Sequence, residues 1–241
     1  MTKERPGPEG AKARSVSHPR PARDILIVGS PIIVMGIIGN LVGVGTLAGG
    51  AIINLGYLIM ILFGARLLKS QGSGWREIGL RRPVNWFKTV WLGVAAFVGA
   101  VVLFVTVQNV AVGLLGVLGM APSELDQSRF NAIEGSVPLF VLMVALAWTT
   151  IAFGEELFYR AFLITRMVDH THIGPGSSIL IAGAVFGVVH FAEGPIGVLA
   201  NASFGIFYGW LFLRSRRNLW ITILGHGLIN TLRFALLFAG A

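Results

Sequence analysis

The chain has 241 residues, 54% of them apolar and 12% charged, with a mean hydropathy of +0.76. That balance excludes an ordinary soluble domain and points to an integral membrane protein. A net charge of +8 does not argue for nucleic acid, because bases in so apolar a chain collect in loops at one membrane face. With no cysteine present, disulfides, thiolate metal sites and a cysteine nucleophile are all excluded.

Residues 1–24 are polar, rich in proline and carry six bases, which reads as a disordered cytoplasmic tail. The apolar stretch from Ile25 to Ala65 is too long for the core of a cleaved signal, so it is expected to be retained. Because a span needs about 20 apolar residues, this stretch is expected to fold as two helices broken near the glycines at 43–50. The spacing Gly39-x-x-x-Gly43 fits a helix-packing face and carries no functional weight. Next comes the basic stretch QGSGWREIGLRRPVNWFKT, whose Trp75 and Trp86 suit the membrane interface. A third span occupies about 90–118, then a polar, net acidic segment 119–137. The fourth span starts near Pro138 and continues past the membrane to about Val168, where the short connection DHTHIGP leads into the fifth. Spans five, six and seven are read at about 177–191, 196–213 and 219–238. The fold class is therefore an all-α polytopic transmembrane helical bundle of about seven spans. Residues 25–137 form its N-terminal helices and loops, and residues 138–241 its functional core.

Seven spans alternate the loops between the two faces. With the amino terminus inside, every Lys and Arg except Arg129 and Arg233 falls on the cytoplasmic side, as the positive-inside rule requires. The carboxyl terminus is then expected outside.

Charge within a transmembrane helix costs at least about 2.5–3.5 kcal/mol per residue at the centre, so such residues need a reason. The fourth span holds Glu155, Glu156 and Arg160. Glu156 and Arg160, four apart, share a helix face and can pair, leaving Glu155 without a partner in its own helix. The fifth span carries His190 one turn after Phe186, and the seventh carries His226 and Asn230 at i and i+4. Glu155 and His190 are equidistant from the turn between helices four and five, each about 20 Å up from it, so they can meet. His226 joins their level if the hairpin of helices four and five projects below the membrane surface. The site then lies in the cytoplasmic half of the bilayer.

A carboxylate taken out of water beside an imidazole can act as a general base on water. Glu155 and His190 meet that need, while His226 and Asn230 can aim donors at a developing oxyanion, so the reaction class is acyl transfer to water. This mechanism requires no cofactor. The alternative is a zinc site with Glu155, His190 and His226 as ligands, although no HExxH motif supports it. Ser203, the one deep serine nearby, lacks an elbow motif and is set aside.

The EExxxR of Glu155, Glu156 and Arg160, the FxxxH of Phe186 and His190 and the HxxxN of His226 and Asn230 together resemble the type II CAAX prenyl protease and bacteriocin-processing family, also called CPBP or Abi intramembrane proteases. The resemblance covers about residues 138–235, with WREIGLRRP similar to the loop preceding that region. It implies a membrane endopeptidase, described both as a metalloprotease and as a metal-free glutamate enzyme, acting on a membrane-associated peptide or protein that is prenylated or bacteriocin-like. Glu155 and His190 would activate water, His226 and Asn230 would support the oxyanion, and Glu156, Arg160 and Phe186 would support the site. Two other readings stand beside it: a non-catalytic immunity or scaffold protein of the same fold, and a proton-coupled transporter using these residues as a relay. The transporter reading lacks an internal inverted repeat.

Overall fold

The computed structural model describes residues 17–43, 46–119 and 128–240. Its long helices are α1 (Pro21–Val42), α2 (Leu47–Ser70), α3 (Trp86–Val117), α4 (Val137–His170), α5 (Pro175–Val188), α6 (Gly194–Arg214) and α7 (Leu219–Ala239). Short 3-10 turns at Ser128–Ile133 and Phe191–Glu193 complete the set, and there is no strand among the described residues. Start signals are local: proline opens α1, α4, α5 and α6, while Thr46, Asn85 and Asn218 accept a backbone N–H from the first turns of α2, α3 and α7.

Six of the helices are long and apolar enough to cross a membrane; α5, at 14 residues and about 21 Å, is the short one. Outward faces carry bare aliphatics, Leu41 at 82% exposure and Val117 at 85% among them, as a lipid-facing surface should. The expected break in the first apolar stretch falls after Val42, and the expected extension of the fourth span runs to His170.

Two helical hairpins, α1 with α2 and α5 with α6, flank the bundle, α3 packs on α6 and α7, and α4 threads the middle against α2, α5, α6 and α7. Small residues set the close approaches. A Cβ at Gly39 would lie 2.8 Å from the Gly49 carbonyl oxygen, and one at Gly205 would lie 2.8 Å from Gly183 Cα. Helix α4 is irregular, with π turns at Ala147–Ile151 and Glu156–Ile164, and every residue of the second turn is buried. Neighbouring helices surround that segment, which holds Glu156 and Arg160.

The tail ends sooner than residue 24. Helix α1 begins at Pro21, and Asp24 is fully buried: its Oδ2 accepts the Arg20 N–H at 3.1 Å and the Gln71 amide at 2.8 Å, with Arg166 at 3.8 Å. Arg166 in turn donates to the Gln71 side-chain oxygen, so one acid clasps the ends of α1, α2 and α4. A boundary drawn on hydrophobicity misses this capping acid, because the partners that bury it, Gln71 and Arg166, are distant in sequence. Residues 1–16 of the tail, and Glu124 and Asp126 of the acidic segment, lie outside the described residues.

The stretch between α2 and α3 docks on the α6–α7 turn, with Arg81 donating to the Arg216 carbonyl at 2.8 Å and the Leu219 N–H to that of Gly79 at 3.3 Å. Arg217 clamps Asp169 at the end of α4 with two hydrogen bonds of 2.6 Å, which raise the Arg217 guanidinium above its ordinary pKa. These ties hold α4 in register with the start of α7.

Candidate active site

The two glutamates on α4 stand on opposite sides of one environment. Glu156 is wholly buried, its Oε1 2.9 Å from His226 Nδ1 and 3.1 Å from the Arg160 guanidinium. Neither terminal nitrogen of Arg160 makes a hydrogen bond; the guanidinium lies instead over the rings of Phe186 at 4.7 Å, Phe204 at 5.6 Å and Tyr208 at 5.7 Å. Aromatic faces thus replace water around a buried cation. Phe186 is the hub of this packing, edge-on to Tyr159 at 5.0 Å and tilted against His190 at 4.7 Å.

Glu155 instead borders a cavity of about 1800 Å³ with largely aliphatic walls from α1, α2, α3, α4, α5 and α7. Its Oε1 accepts the Tyr57 hydroxyl at 2.8 Å, and its Oε2 lies 3.6 Å from His226 Nε2. His226, from α7, therefore stands between both acids, and the level expected for it coincides with that of Glu155. Helix α7 is fixed at this height by Trp148 of α4, whose indole N–H donates to Thr231 at 3.0 Å. Gly227 makes room for that indole: a Cβ there would lie 2.6 Å from the ring.

His190 and Asn230 line the same cavity. No hydrogen bond joins His190 to Glu155; the His190 Nδ1–H donates to the Phe186 carbonyl at 2.7 Å. Since a carbonyl can only accept, Nδ1 carries the proton and Nε2 of the neutral ring is left as an acceptor. Ser203 donates to the Leu199 carbonyl of its own helix at 2.9 Å and does not border the cavity.

A zinc site would need Glu155, His190 and His226 to converge. Among the described residues no three acidic or imidazole side chains form a set that could hold a metal ion. His226 Nδ1 faces Glu156 and His190 Nδ1 a backbone carbonyl, which leaves Nε2 of each ring as the nitrogen turned to other partners.

Several polar residues at this site carry little signal in the sequence. Tyr57 belongs to α2, and its only mark is a lone hydroxyl in an apolar span that, once buried, must find a partner. Glu193, just past His190, sits in the cavity wall, accepts the Asn201 amide at 2.8 Å and meets the Arg233 guanidinium at 3.1 Å. Arg233, an isolated base when only the positive-inside rule is applied, thus has an acid from the α5–α6 connection as its partner.

Among curated proteins and among solved structures, nothing matches the chain. Residues 137–232 match the family model described as type II CAAX prenyl endopeptidase Rce1-like, a stretch that takes in α4, α5, α6 and the part of α7 carrying His226 and Asn230. That stretch holds both glutamates, both histidines and the asparagine, and in it the chain is similar to the Rce1-like type II CAAX prenyl endopeptidases.

Proposed function

We propose that the protein is an intramembrane endopeptidase that hydrolyses a peptide bond of a membrane-associated substrate, prenylated and CAAX-like or bacteriocin-like, by direct attack of water. Glu155 is the general base. The observation carrying this reading is that Glu155, His190, His226 and Asn230 border one cavity, with Glu155 Oε2 and His226 Nε2 3.6 Å apart.

Water bound at Glu155 Oε2 loses a proton to the carboxylate as its oxygen attacks the scissile carbonyl. His190, with Nε2 as acceptor, takes a hydrogen bond from the other proton of the same water and orients it. The carbonyl oxygen, now negative, takes hydrogen bonds from the Asn230 amide and from His226. Because Nδ1 of His226 faces Glu156, His226 can serve the oxyanion only through a protonated Nε2. One proton shared across the Glu156–His226 contact supplies that state: either the ring is an imidazolium beside a carboxylate, or a protonated Glu156 donates to Nδ1. When the carbon–nitrogen bond breaks, Glu155 returns its proton to the leaving amine. Arg160 balances the charge of Glu156 and keeps it from the reaction. With the basic loops at the cytoplasmic face, substrate enters from that half of the bilayer, its apolar part against the aliphatic walls.

The test is cleavage of a farnesylated CAAX-type peptide, carrying a fluorophore and quencher across the scissile region, by the full-length protein in proteoliposomes. Wild-type protein cleaves it, and folded Glu155→Gln does not. Wild-type rates from Glu155→Gln would contradict the proposal.

A further inference from the structure

A helix outside residues 137–232 touches the proposed base. Tyr57, midway along α2 and 6% exposed, donates its hydroxyl to Glu155 Oε1 at 2.8 Å. One turn earlier on α2, Asn54 accepts the Thr150 hydroxyl through its side-chain oxygen, while its amide donates to the Gly50 carbonyl at 2.8 Å. Thr150 lies in the first π turn of α4 and Glu155 just beyond it. Two polar ties therefore fasten α2 to α4 on either side of the place where α4 changes its winding.

Packing leaves the phenol little freedom. Gly154, next to the base, takes the flat of the Tyr57 ring: a Cβ at 154 would stand 3.0 Å from Tyr57 Cδ1 and 3.1 Å from its Cβ. An alanine there would need the Tyr57 ring to give way by a few tenths of an ångström. The glutamate side chain has three rotatable bonds and borders a wide cavity, so its carboxylate needs a fixed second contact to keep one orientation. A phenol is a donor to one carboxylate oxygen and leaves the other open.

We infer that Tyr57 is a positioning residue of the reaction, holding Glu155 by Oε1 so that Oε2, the oxygen facing His226 Nε2, is the one that takes the proton from water. Helix α2 is then part of the reaction apparatus as well as an anchor. The inference rests on the reading of Glu155 as the base. It differs from a bland alternative in which Tyr57 has merely found a partner for a buried hydroxyl.

The two are separated by the kinetics of full-length Tyr57→Phe in proteoliposomes with the farnesylated peptide, beside wild type and Glu155→Gln. Rates are taken per folded molecule, with the Tm of each variant measured. Loss of one hydrogen bond to the reacting carboxylate is expected to lower kcat about ten- to a hundred-fold, with KM and Tm unchanged. Tyr57→Ala, which also removes the ring, should show the same loss of kcat together with a lower Tm. A wild-type kcat for folded Tyr57→Phe while Glu155→Gln is inactive overturns the inference and leaves Glu155 as the base. So does a drop in Tm with a wild-type rate per folded molecule. A peptide that wild type does not cleave, or that Glu155→Gln cleaves at the wild-type rate, overturns the underlying reading and the inference with it.

Discussion

Glu155 and Glu156 are neighbours in sequence and alike in chemistry, yet α4 turns them into different environments. The cavity side gives Glu155 one phenol, one imidazole at 3.6 Å and open space. The packed side gives Glu156 a guanidinium, the other nitrogen of that imidazole and no exposure at all, with its Oε2 left without a hydrogen bond. On the proposed mechanism, two identical side chains divide into a reacting acid and a structural one, the division that pairs of active-site carboxylates show when their surroundings differ. His226 links the two sides, one ring nitrogen to each.

Substitutions that respect this division should separate activity from stability. Glu155→Gln should cost the largest amount, roughly 10⁴-fold in kcat or about 5.4 kcal/mol of barrier, with Tm near that of wild type. A collapse of Tm instead would erase the distinction between the two acids. Arg160→Met should do the reverse, stranding the buried carboxylate of Glu156 and lowering stability by about 3–5 kcal/mol in a detergent-solubilised thermal melt. An unchanged melt would mean that Glu156 does not depend on its cation. His190→Ala should lower kcat about 10²-fold with little change in Tm, because His190 is only partly buried and its ring hydrogen bond is to its own helix. Arg217→Ala should matter least: its clamp on Asp169 is partly solvated, at 31% and 35% side-chain exposure, and its loss should cost at most about 1 kcal/mol with the reaction rate retained.

The cost of placing polar groups in a membrane is what made much of the helix layout and of the candidate site's cavity lining legible in the sequence. Hydropathy marked the helices and the break after Val42, and the three motifs singled out Glu155, His190, His226 and Asn230, which border one cavity. Equal distance from the α4–α5 turn brought Glu155 and His190 to a common level, but level is not contact. Side-chain direction sends His190 to its own backbone and leaves His226 as the imidazole beside the acid. Helical wheels with a fixed 3.6-residue period could not foresee the π turns, nor that helices on every side would bury Glu156 through Ile164. Nor could any local pattern link Tyr57 to a residue 98 positions away, or Asp24 to Gln71 and Arg166. Those partners exist only once the hairpin of α1 and α2 has closed on α4.

Carboxyl-terminal mass spectrometry of membrane proteins from cells producing wild-type or Glu155→Gln protein at equal levels tests the central claim most directly. The account predicts a set of truncated chains, with their released fragments, that is present with the wild type and absent with Glu155→Gln. Identical sets of chain ends in the two samples would contradict the assignment of Glu155 as the group that activates water.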